Sequence, residues 1–199
     1  AWDGPLVISI TALGSVAPGA AWRRDGARPG DLLVATGAFG GSLLGRHLAV
    51  MPRCREALAI AARHSVHAAI DVSDGLALDV SRMMAASGTA AVLDAARIPI
   101  HPDAVRMSGL AGDRRTPLDH ALADGEDFEL VLAVPPEAAH AAVAESGDLP
   151  QAAPLTIIGE VSAGRGLFLR QPDGSQEPLA PRGYLHAVSY THLRAHETE

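Results

Sequence analysis

Two short stretches concentrate oxygen ligands that could do chemistry. AAIDVSDGLALDV (68–80) sets three aspartates and a serine into an otherwise apolar run, and ADGEDFEL (123–130) carries four acidic side chains in eight residues. Asp71 would stand at the carboxyl end of a buried strand, the edge at which open α/β sheets bind ligands. Ser73 and Asp74 follow, and Gly75 permits a tight turn into a helix. Either Ser73 or Asp74 can cap that helix by accepting from an orphan N–H. Further carboxylates so close together would repel each other unless a cation sat between them. A hard cation such as Mg2+ takes oxygens from one or two carboxylates plus substrate phosphates. Spacing leaves both readings open.

In the second stretch, Asp124, Glu126, Asp127 and Glu129 fall between a helix end and a strand. A solvated turn explains such charge. The strand that follows Gly125 would nonetheless set Glu126 and Asp127 at the rim of the sheet, where a cation or a hydroxyl-bearing substrate could be met. A third stretch, RRDGARPGD (23–31), is a turn cluster shaped by Pro29 and Gly30. It also offers Arg24 or Arg28 as a phosphate contact, because a guanidinium fork matches phosphate oxygens. The glycines of GAFGGS (37–42) either cradle a phosphate or allow close packing.

The elements that must position these residues alternate along the chain. GPLVISITALG (4–14) reads as an apolar strand, and LLVAT (32–36) as another. RCREALAIAARH (53–64) has helical spacing after Pro52. HAAIDV (67–72) is a strand, GLALDVSRMMAAS (75–87) a helix stopped by Gly88, and AAVLDA (90–95) a strand. A short helix is expected over 116–125, a strand over 128–134 and a helix over 136–146. Strands at 156–161 and 166–171 close the pattern, the second running into the PDG turn of a hairpin. Hairpins beside alternating helices predict an α+β (mixed α/β) fold, a mixed sheet flanked by helices rather than a pure doubly wound one. SYTHLRAHETE (189–199) breaks the pattern. His192 and His196 stand four apart there without a nearby third ligand, so residues 188–199 read as a foreign or disordered tail.

Composition narrows the function. The 199 residues are 48% hydrophobic and 20% charged, as expected of a globular domain. No apolar run is long enough to cross a bilayer, and no export signal is expected from the opening residues. Cys54 is the lone cysteine, which points to a reducing, cytoplasmic compartment. A net charge of −7 and 4% aromatic residues argue against nucleic-acid binding. All sixteen basic residues are arginine. A P-loop lysine and a pyridoxal phosphate lysine are therefore both excluded within this sequence. Nucleotide phosphates would have to be met by arginine, backbone N–H groups or metal ions.

Six blocks taken in order resemble the thiamine-monophosphate kinases: GPLVISITALG, RRDGARPGDLLVATG, IDVSDGLALDV, DGEDFEL, IGEV and the GY at 183–184. IDVSDGL and GEDFEL are the discriminating pair. The wider superfamily includes aminoimidazole ribonucleotide synthetase, selenophosphate synthetase and a hydrogenase maturation factor. The resemblance implies the carboxyl-terminal domain of the aminoimidazole ribonucleotide synthetase-like fold over 16–187. It also implies transfer of the ATP γ-phosphoryl group to thiamine monophosphate, without a phosphoenzyme and so without a catalytic nucleophile. On the same basis Asp71 and Asp74 would be Mg2+ ligands, and Arg24 and Ser73 would contact ATP. Glu126 and Tyr184 would contact the thiamine substrate. Asp124 stands where the family usually has glycine.

The resemblance further implies an amino-terminal domain that carries more aspartate ligands and part of a homodimer interface. Here the chain opens at AWDGPL, so residues 1–15 would be the last strand of that domain, and little turnover is expected from this chain alone. Two rival readings remain. One is another ATP-using member such as aminoimidazole ribonucleotide synthetase. The other is a non-catalytic binding domain that keeps the fold.

Overall fold

A computed structural model describes residues 8–150 and 154–184. Among the described residues, seven strands form one mixed sheet: β1 (Leu32–Thr36), β2 (Ala68–Asp71), β3 (Ala90–Asp94), β4 (Leu130–Val134), β5 (Leu155–Ser162), β6 (Gly166–Arg170) and β7 (Gln176–Pro178). Their order across the sheet is β2-β4-β1-β5-β3-β6-β7. The β3–β6 pair is parallel, and every other pair is antiparallel. β2, which ends in Asp71, is therefore an edge strand.

Alternation along the strands builds two cores. Leu33, Ala35, Val131 and Ala133 face a cluster supplied by α2 (Leu76–Ser87) and α4 (Pro117–Ala123). Val34, Leu132 and Val134 between them face Ile60 of α1 (Cys54–Ala61) and Ala139 and Ala142 of α5 (Pro136–Ala144). This is the period of two expected of strands buried on both faces. α2 sits under the site. Its Leu76, Val80, Met83 and Met84 are fully buried at helical spacing. Each such side chain contributes about 1.5–3 kcal/mol of burial. Gly88, at φ 70, turns out of the helix in the left-handed region that glycine tolerates. Thr116 starts α4 with a reciprocal capping box to Asp119.

Three elements differ from the sequence reading. Residues 8–14 belong to no strand, and Ile8, Ile10 and Leu13 are exposed. An isolated strand has no ladder partner to satisfy its backbone, and none of the described strands pairs with this segment. Residues 4–7 of that expected strand, and the tail with His192 and His196, lie outside the described residues. A helix α3 (Pro102–Ser108) occupies a stretch read only as punctuated by proline and glycine. Its signal was there: His101 caps it by accepting from the Asp103 N–H, and Pro102 takes the first turn. β4 starts two residues later than expected, because Glu126 and Phe128 both take φ 54, which no regular strand allows. Among the described residues, no helix is long and apolar enough to cross a membrane.

Candidate functional site

The β2–α2 junction is held by a carboxylate that the sequence reading left without a role. Asp79, in the first turn of α2 and 2% exposed, accepts through Oδ2 from three successive backbone N–H groups. These are Ser73 at 3.1 Å, Asp74 at 2.9 Å and Gly75 at 3.2 Å. Negative charge at a helix amino terminus is favourable, and charge-assisted bonds are the strong ones. The expected cap from Ser73 or Asp74 is therefore not what forms. Gly75 occupies the N-cap without a side-chain bond. Arg82, one turn along, donates from Nη1 to Asp79 Oδ1 at 2.8 Å and to Asp74 Oδ2. Asp71 stands exposed at the end of β2.

The second acidic stretch docks onto this junction by its backbone. Glu126 N–H donates to the Ser73 carbonyl at 2.7 Å and Phe128 N–H to the Val72 carbonyl at 2.8 Å. Val72 N–H returns a bond to the Glu129 carbonyl at 2.8 Å. Three of its four acids then turn inward. Asp124 accepts from Gly41 N–H at 2.9 Å and from Arg115 at 2.8 Å, and Asp127 from Gly40 N–H at 3.0 Å and Arg46 at 2.8 Å. Glu129 is forked by Arg53 at 2.7 and 2.6 Å and receives the Thr36 hydroxyl at 2.7 Å. The amides of Gly40 and Gly41 thus bind the chain's own carboxylates rather than presenting a phosphate cradle. Glu126 alone of the four is exposed.

Gly125 is the point of closest approach. It takes φ +73, and a Cβ there would lie 2.8 Å from the Ser73 carbonyl oxygen and 2.9 Å from the Asp74 carbonyl carbon. Gly125→Ala is expected to cost about 2–4 kcal/mol, from left-handed strain plus the backbone clash. Urea unfolding measures it, and a loss under about 0.5 kcal/mol, the range of neutral surface changes, would contradict the contact.

A third segment closes on the same turn. Tyr184 N–H donates to the Asp74 carbonyl at 2.8 Å, and a Cβ on Gly183 would come within 2.4 Å of that oxygen. The Tyr184 side chain is exposed. Arg24 arrives on an arm laid along the open edge of β2. Ala69 N–H donates to the Arg23 carbonyl at 2.9 Å, and the Ser87 hydroxyl donates to the Arg24 carbonyl at 3.1 Å. Arg24 is exposed and makes no ion pair among the described residues, whereas Arg23 pairs with Asp25 at 2.5 Å.

A cleft of about 750 Å3 lies between this arm and α2, lined by Arg23, Arg24, Asp71, Ser73, Asp79 and Arg82 among others. The structure thus gathers Arg24, Asp71 and Ser73 into one cleft. Asp74, Glu126 and Tyr184 join the same turn through backbone contacts and are not among the cleft's lining residues. Among the described residues, no group of three or more His, Cys, Asp or Glu is arranged to hold a metal ion. Exposed Asp71 fits a hard cation as part of a shell that phosphate oxygens and water complete. Asp74 fits one only after exchange with Arg82. Arg46, Arg53, Asp79 and Arg82 were not singled out from sequence. The i,i+3 spacing of Asp79 and Arg82 on one helix face was the available signal.

Asp127 gives the site's framework a pH dependence. Burial pushes its carboxyl up from 3.8 to about 6, against the opposing pull of the Gly40 N–H and Arg46. Its folded pKa lies above the unfolded value, so holding it ionised destabilises the fold. That penalty is absent below about 3.8 and is complete once pH has risen through about 6. The stability of the wild type minus that of Asp127→Asn should fall by about 2 kcal/mol between pH 4 and pH 7. Urea unfolding across that range reads it, and a flat difference would contradict the burial effect.

Comparison with known proteins places this geometry. Residues 26–171 match the family described as AIR synthase related protein, C-terminal domain. A thiamine-monophosphate kinase of Rhodopirellula baltica is 47% identical over 185 residues, covering 93% of this chain and 56% of that protein. The crystal structure of the thiamine-monophosphate kinase from Stenotrophomonas maltophilia K279a aligns with a TM-score of 0.61 at 33% identity, over 80% of this chain and 55% of that one. A structure of AaThiL complexed with AMPPCP and TMP aligns at 0.63 and 26% identity, over 80% and 52%. The chain spans about half the length of the curated relatives it matches. It therefore belongs to the AIR synthase related protein family, of which it carries the C-terminal domain.

Proposed function

We propose that this domain carries part of a thiamine-monophosphate kinase site, at which ATP phosphorylates thiamine monophosphate to thiamine diphosphate. The observation that supports it best is the meeting of IDVSDG, DGEDFEL and RGY at the Ser73–Asp74 turn, beside a cleft that holds Arg24 and Asp71. Arg24, exposed and without an ion pair among the described residues, is available to fork a phosphate. Ser73 lines the cleft and supplies a hydroxyl to ATP. Asp71, with Asp74, would hold Mg2+ against the phosphate oxygens, and the ion would neutralise charge that develops during transfer. Glu126 and Tyr184 present exposed side chains from backbones fixed to the same turn, and would receive thiamine monophosphate.

The reading extends to the whole protein. The partial ligand shell here and the greater length of the relatives support a site completed by a region outside this match, with little turnover from this chain alone. Residues 1–15 would belong with that region, 16–187 would form the present domain, and 188–199 would lie outside it. A homodimer and a cytoplasmic location complete the proposal, the latter supported by the exposed thiol of Cys54.

Thermal shifts separate this reading from its rivals, because a ligand at a hundred times its Kd stabilises the fold that binds it by about 2.7 kcal/mol. Mg–AMPPCP and thiamine monophosphate should each raise Tm, and aminoimidazole ribonucleotide substrates should not. A shift with those substrates alone would favour the synthetase, and no Mg-dependent nucleotide shift would favour a non-catalytic domain.

A further inference from the structure

Arg82 holds a position that a divalent cation would need. Its Nη1 bridges Asp74 Oδ2 and Asp79 Oδ1, joining the two carboxylates across the turn. Asp79 cannot leave: its other oxygen is committed to three backbone N–H groups and its side chain is 2% exposed. Asp74 is 16% exposed and Arg82 36%, and Arg82 lines the same cleft as Arg23 and Arg24. The guanidinium is therefore anchored at one end on Asp79 and open to the cleft at the other.

We infer that Arg82 is a resident counter-ion for Asp74, exchanged for the metal when a cation and a phosphate enter together. The inference rests on the proposed nucleotide site and assigns how that site is gated. A dication on Asp74 and a guanidinium on the same oxygen repel each other, so a metal arriving alone must displace Arg82 without compensation. When the metal brings a phosphate, Arg82 keeps its bond to Asp79 and turns its remaining N–H groups onto a phosphate oxygen beside Arg24. The released cation and the arriving anion then satisfy each other. Arg82 thus positions Asp74 before binding and holds phosphate after it. The metal alone would bind weakly, and the metal–nucleotide pair well.

The test is calorimetric titration of this chain with Mn2+ alone and with Mg–AMPPCP, for the wild type, Arg82→Gln and Arg82→Lys. Removing the guanidinium should tighten Mn2+ alone by about tenfold and weaken Mg–AMPPCP by about tenfold, the scale of one charge-assisted hydrogen bond. Arg82→Lys should fall between on both readouts. The Mn2+ gain should vanish in Arg82→Gln combined with Asp74→Asn. A purely structural role would weaken both ligands and lower Tm together. Mn2+ affinity that is unchanged, weaker or undetectable in both Arg82 variants overturns the inference. If Arg82→Gln does not fold, Arg82→Lys decides alone, since it keeps a charge on Asp79 but lacks the guanidinium's further N–H groups. A Mn2+ gain without AMPPCP binding by any form would leave Arg82 as the counter-ion and reject the nucleotide site.

Discussion

Arg53→Met is expected to remove about 3–5 kcal/mol of stability, the usual loss when one partner of a buried ion pair is deleted. Arg53 Nε and Nη2 fork the two oxygens of Glu129 at 2.7 and 2.6 Å, and its Nη1 stands 3.6 Å from Glu56 Oε1. Glu56 is fully buried, and neither of its carboxylate oxygens has a hydrogen bond among the described residues. Arg53 is thus the counter-charge for two buried carboxylates at once. For a chain of this size the loss corresponds to a fall in Tm of roughly 10 °C. Combining Arg53→Met with Glu129→Gln and Glu56→Gln should recover much of it, because neutral amides no longer need the guanidinium. A loss below about 1 kcal/mol, the value of an exposed pair, would show that these charges are solvated instead. The effect reaches the site through Val72, whose N–H is held by the Glu129 carbonyl one residue past Asp71.

Asp71→Asn should do the opposite: leave the fold and remove the proposed function. Asp71 is exposed at a strand end, and surface changes away from caps and buried networks stay within about 0.5 kcal/mol. Its carboxylate is nonetheless the one metal candidate in the cleft without a recorded ion pair among the described residues. Loss of one fixed electrostatic group at developing phosphoryl charge lowers rate by on the order of 10²-fold. Phosphoryl transfer by the proposed complete enzyme and Mg–AMPPCP calorimetry on this chain both read it. Asp124→Asn is the informative contrast, because Asp124 is tied to Arg115, His120 and Gly41. That variant should lose stability first. If Asp71→Asn retained full Mg-dependent nucleotide binding, the cleft would not be the metal site.

Local pattern carried most elements in the sequence. The alternation in LLVAT and LVLAV, the helical spacing of Leu76, Val80, Met83 and Met84, and the stop at Gly88 all follow from short-range rules. The site was legible as residue types but not as an arrangement. The strand after Gly125 marks Glu126 and Asp127 alike for the rim, yet only Glu126 is exposed and Asp127 is buried. That distinction comes from positive φ at Glu126 and Phe128, which turns Asp127 and Glu129 inward onto arginines more than 70 residues away in sequence. Likewise Asp79 has no role legible from its type alone, and its three amide bonds exist only once the turn has folded back on it. Residues 8–14 form no strand for a related reason, since an apolar, β-branched run becomes a strand only where a neighbour offers a ladder.

The kinase assignment is tested most directly by product. This chain, mixed with the amino-terminal region of a thiamine-monophosphate kinase relative, would be given ATP, Mg2+ and thiamine monophosphate, and thiamine diphosphate would be quantified. Thiamine diphosphate should form at a rate that depends on both parts, should be nearly lost with Asp71→Asn, and should be close to zero for the chain alone. Rapid formation by the chain alone, or ATP consumption without thiamine diphosphate in the mixture, would contradict it.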